Sequence, residues 1–428
     1  TPTTATPTTT TPTTTAPTTT TSNKTFEWVQ VGADIDGEAE GDESGRSVSL
    51  SSNGNRLAVS ARRNDGNGND SGHARVYELQ GGAWKQVGAD IDGQAAGEFS
   101  GNTVSLSSDG NRIAIGSTSN DSNGVRSGTV RVYELQAGAW KQLGANIDGE
   151  AANDQSGNSL SLSSDGTRVA IGALNNDGKN FGSRSGHVRV YDLQGGVWKQ
   201  LGADIEGEAK DDNFGTSVSM SGDGTRVAIG APAADGNGED SGHVRVYDLQ
   251  GGAWKQIGSD IDGKATRDYS GWSVSMSTDG TRVAIAAPFA EVINQNSKST
   301  SGHVRVFELQ KGAWVQVGAD IDAKKRIGIE YELVSLSRDG TRVAIGEASS
   351  DGNGVSSGTV RVYELQGGAW KQVGADIDGE AADDESGSSV NLSSDGTRLA
   401  IGSRRNDGNG NKSGHVRVYE LQEKTLYS

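Results

Sequence analysis

Residues 103–116 read TVSLSSDGNRIAIG, and residues 129–144 read TVRVYELQAGAWKQLG. Polar and apolar residues alternate here in four short runs, Thr103 to Ser107, Arg112 to Gly116, Thr129 to Leu135 and Trp140 to Gly144. A period of two is the signature of a half-buried strand. Asp109-Gly110 joins the first two runs and reads as a two-residue hairpin turn, while turns like Gln80-Gly81-Gly82 join the third to the fourth. The unit is therefore a four-stranded antiparallel sheet.

The unit recurs. Trp28, Trp84, Trp140, Trp198, Trp254, Trp314 and Trp370 are spaced by 56, 56, 58, 56, 60 and 56 residues, and each opens a near-copy of WKQVGADIDG. The Asp-Gly turn returns at Asp165-Gly166, Asp223-Gly224, Asp279-Gly280, Asp339-Gly340 and Asp395-Gly396, with Asn53-Gly54 in the first copy. Four antiparallel strands per repeat describe a propeller blade. The Trp28 run has no hairpin partner before it, and the run His415 to Leu421 has no Trp strand after it. Pairing these two completes a blade from both ends of the chain. The sequence predicts an all-β, seven-bladed β-propeller with four-stranded antiparallel blades, closed three-plus-one by the N-terminal strand and preceded by an extended Thr/Pro-rich stalk.

This order overturns what bulk composition implies. Of 428 residues, Leu, Ile, Val and Phe make up about 18%, Gly numbers 63, and the net charge is −17. Such a balance is the usual mark of disorder. Absence of Cys excludes disulfides, thiolate metal sites and Cys nucleophiles. No apolar run approaches the roughly 18 residues of a membrane span. The acidic balance argues against nucleic acid and anionic membrane as partners. Thr1 in place of Met, with no signal peptide, leads to the expectation of a processed or partial chain.

Asn213-Phe214-Gly215, followed by Asp223-Gly224, Val227-Ala228-Ile229-Gly230-Ala231-Pro232 and Gly242-His243-Val244-Arg245-Val246-Tyr247, resembles the FG-GAP repeat of integrin-alpha-type propellers. The resemblance covers about residues 25–428. It implies the architecture, and it is compatible with adhesion receptors, lectin-like propellers and other surface proteins. The family often carries a calcium loop, D-x-D-x-D-G-x-x-D, between its first two strands. Here that connection is only Ser-Ser-Asp-Gly-Thr-Arg, so the site does not carry over.

The charge is unevenly placed. The seven inter-blade loops, taken as fourteen residues each from Ala33, Ala89, Ala145, Ala203, Ser259, Ala319 and Ala375, carry −23 together, more than the whole chain. They share one face with the loops between the second and third strands. Asp34, Asp36 and Glu38 alternate there, as do Asp376, Asp378 and Glu380, which suits Ca2+ as a cofactor. Asp, Asn and Gly also build turns without any ion, and recurrence in nearly every blade favours that reading. His73, His187, His243, His303 and His415 fill one repeat slot, with Thr129 and Thr359 in the other two copies, which predicts hydrogen bonding at the strand start. The Arg75, Arg131, Arg189, Arg245, Arg305, Arg361 and Arg417 series is expected near Trp faces, adding cation–π contacts of about 0.5–1 kcal/mol. Nothing resembles a catalytic motif, and an enzyme is not expected.

Blades five and six break the pattern. Trp272 starts the first strand of blade five with Tyr269 just before it, Phe289 lies in its next long loop, and Lys324, Lys325, Arg326 and Tyr331 replace the acidic consensus that follows. Aromatic and basic residues on an acidic face suit a protein or glycan contact, with drift in a non-functional blade as the alternative.

Residues 1–24 form the second region. Thr3, Thr4, Thr6, Thr8, Thr9, Thr10, Thr11, Thr13, Thr14, Thr15, Thr18, Thr19, Thr20 and Thr21 are O-glycosylation candidates, with Pro2, Pro7, Pro12 and Pro17 five apart. Polyproline II geometry makes this a stalk of roughly 65 Å. Asn23, Asn69, Asn120 and Asn411 begin N-glycosylation sequons, whereas Asn391 matches one inside a strand. The sequence therefore leads to an extracellular or cell-surface, non-enzymatic structural glycoprotein. Its partners would be other protein subunits, joined through stalk or propeller face into a filament, or glycans. A carbohydrate-binding or adhesion propeller is the alternative.

Overall fold

A computed structural model describes residues 23–178, 182–290, 292–294, 297–299, 302–324 and 332–426. The threonine-rich segment, Lys325, Arg326 and Tyr331 lie outside these residues. Blade one comprises Val48–Leu50, Arg56–Ala61, His73–Gln80 and Ala83–Gln86, hydrogen-bonded in that order. Blades two to six repeat it. Blade seven takes Ser389–Leu392, Arg398–Ser403 and His415–Leu426, and its outermost strand is Asn23–Gln30 from the other end of the chain. The two ends pair antiparallel from Asn23 opposite Leu426 to Gln30 opposite Tyr419. No helix occurs among the described residues, so none there is long and apolar enough to cross a membrane.

Seven apolar clusters hold the blades together, each drawn from two neighbours. Ala170, Val188 and Val190 of blade three meet Val218, Met220, Val227 and Ile229 of blade four, all buried. Ala400, Val416 and Val418 of blade seven meet Val48, Leu50, Leu57 and Val59 of blade one in the same way. Burying a Val or Ile contributes about 1.5–3 kcal/mol. Modest apolar content suffices because small residues let the sheets approach closely. A Cβ on Gly172 would lie 2.2 Å from the carbonyl oxygen of Gly215 on the next blade.

Polar contacts between blades form closed rings. Around the channel, the Ser49 hydroxyl accepts from the Leu106 amide, Ser105 from Leu162, and so on until Asn391 accepts from Leu50, at 2.8–3.1 Å. This bond accounts for Asn391 as a strand residue. Nearer the tight hairpins, Ser52 N–H donates to Ser108 O, Ser108 to Ser164, and the chain of bonds returns through Ser394 to Ser52 O at 2.7–3.0 Å. Each repeat tryptophan donates Nε1–H to a carbonyl of the previous blade, from Trp84 on Val31 to Trp28 on Val373, at 2.7–3.0 Å. The Arg56 series, paired with the Glu78 series, donates to the next blade's Asp-Gly carbonyl, as Arg226 does to Gly280 O at 2.8 Å.

Three local expectations change. The Asp-Gly segment is not a two-residue turn, because that turn needs both residues at positive φ. Only Gly110 has it, at 69°, and the loop closes from Ser107 N–H to Arg112 O. Asp109 instead accepts from Ser107 Oγ at 2.6 Å and Asn111 N–H at 2.9 Å. The inter-blade connections are not wholly loop: Ile91–Asp92 pairs back onto His73 and Ala74, and every blade repeats this. The long loop of blade five contains a hairpin, Val292–Asn294 with Ser297–Ser299.

Candidate functional site

At the loop end of each blade, three repeat slots converge from separate segments. The first follows the Ile-Asp pair of the preceding connection, the second opens the blade's third strand, and the third precedes the Ile-Asp pair of its own outer strand. In blade one these are Glu38, His73 and Asp90; in blade three Glu150, His187 and Asp204; in blade seven Glu380, His415 and Asp34. One ligand-type atom from each lies within 4.8 Å of the others. Blade five places Lys264 in the first slot, and it ion-pairs with Asp320. Blade six places Lys324 there, 3.3 Å from Asp376. In blade four, Arg245 bridges Glu208 and Asp260 at 2.8 Å each. Blade two has Gln94, Thr129 and Asn146, all uncharged.

The six carboxylates grouped on sequence spacing as calcium ligands are thus divided. Asp34 faces His415 and Glu38 faces His73, in different blades. Because Ile35–Asp36 is a strand paired with Val416 and His415, its flanking residues diverge. Asp376 is bound to Arg361 at 2.8 Å, and Asp378 accepts from Thr359 Oγ1 at 2.8 Å. Neither alternating triad converges on one ion.

His73 is not a strand-start hydrogen bonder. His73 is buried, and neither ring nitrogen has a hydrogen-bond partner. Desolvation first, then Arg75, lowers its pKa to about 4 against the opposing pull of Asp90. His243 falls to about 4 through burial and then Arg245. The threonines in this slot do hydrogen-bond, Thr129 Oγ1 to Asp148 at 2.7 Å. Nor do the arginines of the Arg75 series stack on Trp. Arg75, Arg189 and Arg417 lie 5.7 Å from the Tyr ring two residues on, and Arg305 lies 5.2 Å from Phe307.

In blade five, Tyr269, Trp272 and Phe289 pack edge to face, with centroids 5.2–6.3 Å apart, all half-buried. Tyr269 Oη donates to Asp240 at 2.9 Å. A residue that sequence reading did not single out is Glu332, in the slot that Arg46 and Trp272 fill elsewhere. It reaches a central cavity of about 150 Å³ and accepts from Ser47 Oγ at 2.6 Å and Thr103 Oγ1 at 3.3 Å. Burial pushes it up to about 7 despite these bonds. The signal was Tyr331-Glu332-Leu333 where the other blades have Gly-x-Ser or, in blade two, Gly-x-Thr. Of the sequons, Asn69 and Asn411 are exposed, but Asn120 is buried and donates to Glu98, so the fold does not present it.

A family model described as FG-GAP repeat matches residues 34–77 and 206–247. The chain carries FG-GAP repeats on a seven-bladed β-propeller. Among solved structures, it is similar to a protein described as a "putative 6-phosphogluconolactonase" from Bacteroides uniformis, at 12% identity and TM-score 0.56, over 81% of this chain and 88% of that one. It is also similar to Kuenenia stuttgartiensis hydrazine synthase, at 13% identity and TM-score 0.53, over 93% and 98%. At such identity the likeness is one of fold alone. No curated protein matches in sequence.

Proposed function

We propose that the chain is an extracellular, non-enzymatic structural glycoprotein whose propeller head is a protein–protein interaction scaffold on a glycosylated Thr/Pro stalk. The observation that carries this reading is the use of the repeated polar residues. Arg, Trp, Ser and the turn Asp, replaced by Asn53 in blade one, are each committed to the rings and turns that hold blade to blade, seven times over. What differs between blades is the loop face, where a partner can be told apart. Stalk and head together suit a filament subunit, since head-to-tail contacts that do not close build fibres. Sequons on exposed Asn69 and Asn411 fit a secreted glycoprotein.

Electron microscopy of the full chain from its native source tests the reading. Filaments with sugar on residues 3–21 are expected. Monodisperse particles with an unmodified stalk would overturn it. The aromatic trio of blade five favours a second reading, a carbohydrate-binding or adhesion propeller. Glycan-array binding lost on Phe289→Ala would select that alternative.

A further inference from the structure

We infer that the loop end of blade one holds a divalent transition-metal ion on Glu38, His73 and Asp90, residue types that also come together in blades three and seven. The first ground is His73. Its ring is fully buried, both nitrogens lack hydrogen-bond partners, and Nδ1 faces Glu38 Oε2 and Asp90 Oδ2 at 3.8 Å and Asp92 Oδ1 at 4.0 Å. These gaps are too long for hydrogen bonds. Donors sharing an ion at about 2.0–2.2 Å sit about 3–3.5 Å apart, so small rotations of two partly exposed carboxylates close the set.

The second ground is what the chain does elsewhere. At three of the other loop ends a built-in cation meets the same aspartate slot: Lys264 on Asp320, Lys324 on Asp376, and Arg245 between Glu208 and Asp260. The blade-two slots are neutral, leaving no cation to accommodate. At blade one, Arg75 lies 3.4 Å from Glu38 Oε1 and offsets one charge, while Asp90 and Asp92 remain. One imidazole with carboxylates suits a borderline ion such as Zn2+ better than Ca2+, which takes six to eight oxygens.

Full-length chain, stripped with chelator and dialysed against micromolar Zn2+ or Ca2+, gives the test through bound metal per chain. At least one Zn2+ is expected, on the blade-one Glu-His-Asp set, with no Ca2+. His73→Thr, the residue natural to this slot in blades two and six, should lose one Zn2+. Glu38→Lys copies blades five and six on a partly exposed loop residue, keeps the test available if the first variant misfolds, and should also lose one. No Zn2+ on the parent chain, Ca2+ in its place, or unchanged Zn2+ in a folded variant would overturn the proposal.

Discussion

The two faces of the propeller treat many of their aspartates in opposite ways. On the hairpin face, Asp109, Asp165, Asp223, Asp279, Asp339 and Asp395 all titrate below the ordinary carboxylate range. Burial would raise them, but hydrogen bonds from the Ser and the amide of their own turn outweigh it. On the loop face, Asp36, Asp92, Asp262 and Asp322 titrate above that range. Burial raises these too, and the aspartate two residues earlier adds to it. Hairpin-face charge is thus committed to architecture, whereas much loop-face charge is uncompensated. That difference fits the proposal that the loop face is the binding face.

The largest test is acid. His243 and His303 have folded pKa values lowered to about 4, mainly by burial, against an ordinary 6.5. The unfolded chain therefore takes up protons that the folded chain refuses. Stability is fully present above pH 6.5 and lost as pH falls toward 4, on the order of 2–3 kcal/mol per histidine. Urea midpoints followed from pH 7 to 4 should drop steeply, and His243→Thr should flatten the slope. An unchanged slope would break the contrast between faces.

Next in size is the hairpin half. Trp28→Ala removes a buried ring and its bond to Val373 O, where the two chain ends meet. A loss of about 3–5 kcal/mol is expected in denaturant titration. Smaller, and sharper for the comparison, is a matched pair. Asp279→Ala strips the turn of its bonds to Ser277 and Thr281 and should cost about 1–2 kcal/mol. Asp92→Asn in metal-free chain relieves repulsion and should be neutral or slightly stabilising. Equal losses would erase the distinction. Smallest is sequon occupancy: glycopeptide mass spectrometry should find sugar on Asn69 and Asn411 and none on Asn120.

The ring architecture was legible because the Trp signal and the Asp-Gly or Asn-Gly signal are local and repeated seven times. The metal grouping was not. Asp34 and Glu38 are neighbours in sequence, yet each meets the other's counterpart from an adjacent blade, Glu38 meeting Asp90 and Asp34 meeting Glu380 from the far end of the chain. A reading by short spacing joins residues that the Ile35–Asp36 strand separates. The Ile-Asp strands were missed because two residues are too short to show alternation. Glu332 was hidden because its partners, Ser47 and Thr103, lie across the channel on other blades.

The split seventh blade has a mechanical consequence. Asn23 lies opposite Leu426, so the free ends of both strands leave the sheet side by side. A pull separating those ends loads the seam one residue pair at a time, like a zipper, rather than shearing all of its bonds at once. Heat must break seven interlocked contacts together, but tension across this seam meets them in sequence. The head would open under force far more readily than its resistance to denaturant suggests.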